Sequence, residues 1–543
     1  MKKTYIILAA SLMASMSVAA QETYENAKIS QKDLNGTARY VGMGGALEAL
    51  GADLTTIGTN PAGIGLYKHS VASVSAGLVS QGDGHDFTNG HTTNASFDQG
   101  GFVWSTRSGR RSFLNFGFNY TKSRNMDYIL SAANSVRGGS MSKHSYIKNM
   151  LGSVENGGFT IDKNEQGEYI GYEDAKSTYT APNFTQLDYL LWNAFIVDPN
   201  NQTAGYNEAN QYTFDRAHTG YIGEYDFNIS GNINDRVFLG LTFGLYDVHY
   251  KGNSTYVENL IDAQGAGVGT LTLNDNRKIT GSGFDVKFGA IFRPIENSPF
   301  RFGIYVHTPT WYDLTTSNYT TLLNGTQLGG YDQGHSNESY DFKIFTPWRF
   351  GFSLGHTVGN YLALGATYEY ADYSTIKSRI NTDEYYDYWS DTWNTSSRND
   401  RVMNDHTDRT LKGVSTLKLG AEYKPIKDLA VRIGYNYVSS LYNKSGYKDN
   451  TLPSDGSYYA STDDYVNWKD MNRFTCGLGY ALGKFNLDFA YQYSTQKGDF
   501  YPYAPLSATV TDNGTTYSES NTTSATSVKN NRHQLLFTLS YHF

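Results

Sequence analysis

The sequence predicts an all-β transmembrane barrel of about fourteen antiparallel strands, and three observations lead there. Apolar residues alternate with polar or small ones at period two through most of the chain. Tight turns and long loops follow one another in strict rotation between the alternating runs. The composition joins 45 Tyr, 28 Phe and 55 Gly to only 11 Pro, at a negative mean hydropathy, which suits strands with an aromatic face set among polar loops. The net charge of -8 is dispersed, so no basic block is available to a nucleic-acid backbone. A single cysteine, Cys476, excludes an internal disulfide.

Residues 1–20 read as a signal peptide. Lys2 and Lys3 supply the positive end, Ile6 to Ala14 the apolar run, and Val18-Ala19-Ala20 the small-residue cleavage site before Gln21. The alternative, a buried helix or N-terminal anchor, suffers from an apolar run too short to span a bilayer. Beyond it no uninterrupted apolar stretch of about 18 residues occurs, so helical membrane spans are excluded. The remaining chain is either soluble or crosses a membrane as strands.

The alternation selects strands. Leu114, Phe116, Phe118 and Tyr120 are separated by Asn115, Gly117 and Asn119. Val237, Leu239, Leu241, Phe243 and Leu245 enclose Gly240, Thr242 and Gly244. Comparable runs place strands at 70–80, 93–107, 112–122, 218–231, 236–251, 279–293, 300–312, 340–355, 361–374, 409–424, 429–442, 470–482, 485–496 and 529–543. Every second connection is tight: SGRR at 108–111, NIND at 232–235, RPIENSP at 293–299, HTVGN at 356–360, KPIKD at 424–428 and LGK at 482–484. Short turns on one side, long loops on the other and an even strand number predict a bacterial outer-membrane barrel. Closure of the wall leaves no unpaired backbone in lipid. At the C-terminus Leu535, Phe537, Leu539, Tyr541 and Phe543 alternate to the last residue. Tyr541 and Phe543 resemble the assembly signal of outer-membrane proteins, which implies the barrel-assembly machinery as a partner; an ordinary edge strand is the alternative.

Residues 21–69 do not alternate like a wall strand. The stretch DLNGTARYVGMGGALEALGADLTTIGTNPAGIG, Asp33 to Gly65, resembles the N-terminal hatch of the FadL family of channels for long-chain fatty acids and other hydrophobic compounds. The matching positions are Gly42, Met43, Gly44, Gly45, Ala46, Asp53, Asn60, Pro61, Ala62 and Gly63. The resemblance implies a hatch plugging the lumen of a barrel that spans 70–543. It implies gating by that hatch, a hydrophobic small-molecule ligand that leaves sideways through a wall gap near a kinked strand, a monomer in outer-membrane lipid, and no cofactor. Independently of it, Pro61 disfavours helical backbone at Asn60, leaving Asn60 to cap or bond the wall. As a nucleotide loop GMGG fails, because neither a Lys-Ser/Thr pair nor a preceding apolar strand accompanies it.

The surplus length lies in outside loops, above all an insertion at about 123–217. Asn183 to Val197 reads as a helix, and Asp127 to Leu151 as a weaker one interrupted by Gly138 and Gly139. Leu187, Leu190, Leu191, Trp192 and Phe195 are candidates for an exposed hydrophobic landing groove or for the interior of a cap. EYYDYWSDTW at 384–393 forms an aromatic loop, either binding flat glycans or stabilising its own fold. Inward-facing charges such as Glu224, Lys287, Glu369, Lys418 and Glu422 are expected to pair across the lumen or hold the hatch. Arg349 and Arg432 are candidates for a ligand carboxylate.

Neither a Gly-x-Ser-x-Gly elbow nor a Ser/His/acid grouping suggests an enzyme. His85 and His91 share a loop where a metal or haem is an option, without further ligands. Passive uptake of a hydrophobic solute is therefore the leading expectation. The alternatives are a secretion-associated shuttle or surface-binding protein built on the same barrel, or a haem-binding receptor.

Overall fold

The computed structural model describes residues 22–151, 159–163, 169–174, 184–198, 203–326, 333–388, 392–512 and 515–543. The expected signal peptide and Gln21 lie outside them. Fourteen antiparallel strands close into a wall: β1 (Val71–Gln81), β2 (Thr93–Arg107), β3 (Phe113–Asn125, continued as Tyr128–Gly139), β4 (Glu208–Ile233), β5 (Val237–Ile261), β6 (Gly267–Phe292) and β7 (Arg301–His307 and Trp311–Thr326) make one half. The other half is β8 (Gln333–Phe345 and Arg349–Val358), β9 (Leu362–Asp372, continued as Lys377–Asp387), β10 (Gly413–Ile426), β11 (Leu429–Val438), β12 (Tyr465–Leu482), β13 (Phe485–Tyr501) and β14 (Thr526–His542). β14 pairs with β1 from Val71↔His542 to Gln81↔Arg532 and closes the ring.

The period-two pattern becomes two faces. Leu239, Phe243 and Leu245 on β5, Phe350, Phe352 and Leu354 on β8, and Phe489 and Phe537 on β13 and β14 point outward and are exposed, while their neighbours are covered. Tyr361, Tyr423, Tyr480 and Phe485 stand beside the tight turns on the same outer face. An apolar belt with aromatic residues at its edge is the surface a hydrocarbon slab requires. Cys476 lies in this exposed face.

All fourteen expected strands are present, and β3 to β7 run far beyond the expected limits. β4 begins at Glu208 rather than 218, and β5 reaches Ile261 rather than 251. Above the belt the inward face packs Tyr212, Phe214, Tyr256 and Leu260 against the cap while the outward face meets water instead of lipid, so the outward residues turn polar and the apolar run thins although the ladder continues. Residues 128–139, expected as helix, continue β3 along β4 from Tyr128↔His218, and helix begins only at Met141. The free edge of β4 outweighs a helical pattern that had no face of its own to bury. The aromatic loop is a hairpin between Lys377–Asp387 and Thr392–Asn399, with Tyr388 almost fully exposed and residues 389–391 outside the described residues.

Residues 22–66 lie inside the wall. Helix α1 (Thr23–Ser30), an extended stretch, the short helix α2 (Ala38–Gly42) and the 3-10 turns Leu54–Gly58 and Pro61–Leu66 carry mostly buried side chains that bond inward-facing wall residues. Over the opposite end α3 (Met141–Leu151) and α4 (Gln186–Leu191) build a cap.

Candidate functional site: the inner segment, its wall seat and two cavities

The Asn-Pro-Ala-Gly motif is a local cap joined to a wall contact. Asn60 has extended backbone, φ -112° and ψ 98°, as the following proline demands. Its Oδ1 accepts the Ala62 N–H at 3.2 Å and its Nδ2 donates to the Glu48 carbonyl at 3.0 Å. Ser230 on β4 donates to the Pro61 carbonyl at 2.8 Å, and the Gly63 N–H returns to the Asn60 carbonyl at 2.9 Å.

Where the wall comes closest to this backbone it presents glycines. A Cβ on Gly240 of β5 would stand 2.3 Å from the Pro61 carbonyl carbon, and one on Gly289 of β6 only 2.1 Å from Asn60 Oδ1. Across the lumen the same relation holds for Gly434 on β11, 2.2 Å from the Gly44 nitrogen, and for Gly420 on β10, 2.2 Å from the Met43 oxygen. Gly44 and Gly45 turn the chain there with φ of +63° and +81°, and Gly42 rests on Gly477 of β12. Inward glycines thus trace the footprint of the segment on the wall. By sequence they are only small residues between apolar ones, and their coincidence with inward positions is the signal that could have marked them.

Ion pairs add to the seat. Glu48 meets Lys418 at 2.7 Å, Lys32 meets Glu224 at 3.0 Å and Arg39 meets Glu422 at 3.1 Å. Glu25 meets Arg277 at 2.6 Å. Burial pushes the Glu25 carboxyl up, but Arg277, Lys28 and Lys448 outweigh it and hold it at about 2. Arg349 donates to Glu369, to Tyr373 and to the Ser30 carbonyl, and Arg432 lies beneath Gly42 between Glu422 and Asp488. Both arginines expected to meet a ligand are therefore engaged in holding this assembly.

The wall ladder opens at one place beside the segment. β2 and β3 pair only from Arg107↔Phe113 to Gln99↔Thr121, leaving Thr93 to Asp98 without a β3 partner. β3 shifts register between Lys122 and Arg124, breaks at Met126-Asp127, and continues against the inward side chain of Gln81. That amide exchanges both hydrogen bonds with the Ile129 backbone, at 2.7 and 2.8 Å. Residues 33–35 occupy the opening as a strap. The Asp33 N–H donates to the Ser123 carbonyl at 2.8 Å and its Oδ2 accepts the Asn125 N–H at 3.0 Å. Asn35 donates to the Lys122 carbonyl and to Asp98, and accepts from Gln534.

Two cavities share the strap as a common wall. One, of about 170 Å³, is lined by Leu34, Val79, Met126, Leu130 and Trp468 together with Arg124, Arg473 and Arg532. The other, of about 130 Å³, also touches Leu34 and Trp468 and extends to Lys32, His307, Val438 and Leu441. Above them α1 is tied to the outer loops: Thr23 bonds His406 at 2.9 Å, and the Tyr24 ring stacks on Tyr442 at 5.0 Å between centroids. His406 belongs to α5 (Arg401–Thr410).

The groove candidates Leu187, Leu190, Leu191, Trp192 and Phe195 are not exposed. Each is 8 % accessible or less, in a cluster that also takes in Phe184, Tyr212 and Phe500. They are the interior of the cap, pinned by Asp188, which receives Lys148 and Ser145 at 2.5 Å each. Burial raises the Asp188 carboxyl, and Lys148 more than offsets this to hold it below its ordinary value. His85 and His91 face Asp215 and Asp86 at 3.5 and 3.1 Å. Tyr541 packs on Phe485, and Phe543 ends the chain exposed, its N–H on the Ser70 carbonyl.

No protein-family model and no curated protein sequence matches the chain. Solved structures do align with it. A FadL homologue from Pseudomonas aeruginosa is 12% identical over 95% of this chain and 100% of its own, at a TM-score of 0.47. The toluene transporter TbuX from Ralstonia pickettii is 14% identical over 94% and 99%, also at 0.47, and the toluene transporter TodX from Pseudomonas putida 12% over 94% and 99%, at 0.44.

Proposed function

We propose that this barrel is a monomeric outer-membrane channel for passive uptake of hydrophobic small molecules such as long-chain fatty acids, with residues 21–69 as its hatch. The observation that carries the reading is the opening between β2 and β3, bordered inside by a cavity with an apolar side and closed by three residues of the N-terminal segment. A solute in that cavity is separated from the lipid-facing side of the wall by the strap rather than by a strand ladder. Movement of Asp33 to Asn35 breaks side-chain and single backbone bonds, each worth about 0.5–1.5 kcal/mol net, whereas parting two wall strands breaks a whole ladder. Gating therefore needs no rupture of the barrel. Leu34 and Trp468, on both cavities, supply an apolar passage past the strap. Tyr541 and Phe543 act as the assembly signal of the last strand, and residues 1–20 direct export.

The test is uptake of labelled oleate by cells with and without the protein, together with a tethered variant. Asn35→Cys and Asp98→Cys, in a Cys476→Ser background, are joined by a short bifunctional thiol reagent. Uptake that requires the protein and ceases on tethering fits the gate. Equal uptake with and without the protein rejects the channel, and unaffected uptake after tethering rejects this exit.

A further inference from the structure

Above the apolar belt the outward face of β4 to β7 changes character in two steps. Leu245, Phe284 and Trp311 are direct neighbours across β5, β6 and β7 and form the last apolar row, with the Phe284 and Trp311 rings stacked at 5.8 Å. Just above that row the charges are matched: Asp247 meets His249 at 2.8 Å, and Asp313 meets Lys343 of β8 at 3.3 Å. Six positions above the row, Lys251 of β5 faces Lys278 of β6 in direct register, both outward and exposed. Their other cross-strand neighbours are Thr219 on β4 and Ser317 on β7, and the next outward pair is Asn253 with Asn276. Among the described residues neither lysine has an acidic partner.

Like charges directly opposite on one sheet face, about 5 Å apart at their Cβ atoms, repel and destabilise the pair. An anion between the two ammonium groups removes that cost, and the hydroxyl and amide side chains around them are suited to neutral oxygens of the same ligand. Height identifies the anion. Six residues at about 3.3 Å each, along a strand tilted by about 40°, place the lysines roughly 15 Å above the last apolar row. A phospholipid headgroup layer is only about 5–8 Å deep, so its phosphate stays below them. A lipid whose headgroup is a phosphorylated oligosaccharide reaches that level and brings neutral hydroxyls beside its phosphate. Tyr319, exposed and in register with Asn276, adds an aromatic face for a sugar ring.

We propose that Lys251 and Lys278 clasp a phosphate on the sugar headgroup of an outer-leaflet lipopolysaccharide, with Asn253, Asn276 and Tyr319 against the adjoining sugar. The contact lies outside the barrel on β5 and β6, not beside the β2–β3 opening, and is independent of any solute in the lumen. It gives the long extensions of these strands a second task. Their inward face packs the cap through Tyr256, Leu260, Leu271 and Leu273, while their outward face is tied to the lipid layer. The height of the barrel in the membrane is then fixed by headgroups above the belt as well as by hydrocarbon around it.

The experiment titrates the full barrel in detergent with three lipids and reads the bound fraction by native mass spectrometry: a rough lipopolysaccharide with phosphorylated inner sugars, the same lipid with those phosphates removed, and phosphatidylglycerol. Lys251→Gln combined with Lys278→Gln is expected to weaken the phosphorylated glycolipid about tenfold, the scale of two exposed charge contacts at the upper end of their range. Lys251→Arg combined with Lys278→Arg should keep most of the affinity. Removing the sugar phosphates should weaken binding to the unsubstituted barrel by a similar factor and erase its advantage over the glutamine variant. Lys469→Gln, which removes an exposed lysine of β12 paired with Asp499 at 2.9 Å, should leave binding unchanged. Heat-modifiable migration confirms that each variant is folded. Full retention of the glycolipid by the glutamine variant, an equal loss in Lys469→Gln, or equal binding of phosphatidylglycerol overturns the site.

Discussion

The two halves of the N-terminal segment are held in different ways. From Gly42 to Gly63 the backbone lies directly on wall glycines, and added Cβ atoms on Gly240, Gly420 or Gly434 would fall 2.2 to 2.3 Å from it, and one on Gly289 2.1 Å from Asn60 Oδ1. From Glu22 to Asn35 the contacts are side-chain bonds, single backbone bonds and ion pairs bordering the two cavities. A steric seat has one solution, because close-packed backbone has nowhere else to go. Polar contacts beside a cavity can be exchanged for others at little net cost. The lower half is thus built to stay and the upper half to change partners, and substitutions in the two should differ in kind.

The largest effect is expected in the lower half. Lys418→Met leaves Glu48, which is fully buried, without its 2.7 Å partner. Removing one member of a buried pair costs about 3–5 kcal/mol. The midpoint of urea unfolding in detergent should fall accordingly, and an unchanged midpoint would show that the Glu48 pair does not anchor the segment. A smaller loss is expected for Asn60→Ala, which removes the cap on Ala62 and the bond to the Glu48 carbonyl. That change should cost about 1–2 kcal/mol on the same measurement. If it instead altered uptake with no change in stability, the division between a fixed lower half and a mobile upper half would be wrong.

Much of this was legible from residues alone, for a physical reason. A wall between lipid and a polar lumen imposes period two on every strand, so the spacing of Leu239, Phe243 and Leu245 is enough to assign their face. Asn60 and Pro61 were legible too, because proline constrains the preceding backbone locally. What escaped is what depends on distant partners. The pattern of 128–139 fits a helix until the unpaired edge of β4 is supplied, and Leu187, Leu191 and Trp192 look the same whether they face a ligand or a cap. Arg124 lies hundreds of residues from Arg473 and Arg532, and nothing local marks the three as neighbours of Asp33. Arg349 and Arg432, by contrast, stand out as inward arginines by alternation alone, and each is matched by carboxylates.

The smallest expected effect concerns α1 and pH. Glu25 has an ordinary value of 4.5 and is held at about 2, because Arg277 and two lysines stabilise its charged form more than burial destabilises it. A lowered carboxylate favours the folded arrangement fully above its ordinary value, and that contribution disappears as pH falls through the folded one. The tie between α1 and β6 should therefore be complete at pH 5, weaken from about 4.5 downward and be gone near 2. Amide exchange in residues 23–30, corrected for its intrinsic pH dependence, should follow that course. In Arg277→Gln, which removes the tie and the largest opposing charge, the contribution should be smaller and its loss should be complete at higher pH. The lower half offers the comparison: the Gly434 and Gly240 contacts themselves contain no titrating group, so exchange at Gly44 and Ala62 should change less than at residues 23–30 over the same range. A parallel change at both ends would mean that α1 and the glycine seat move as one body, and the strap between them could not then open by itself.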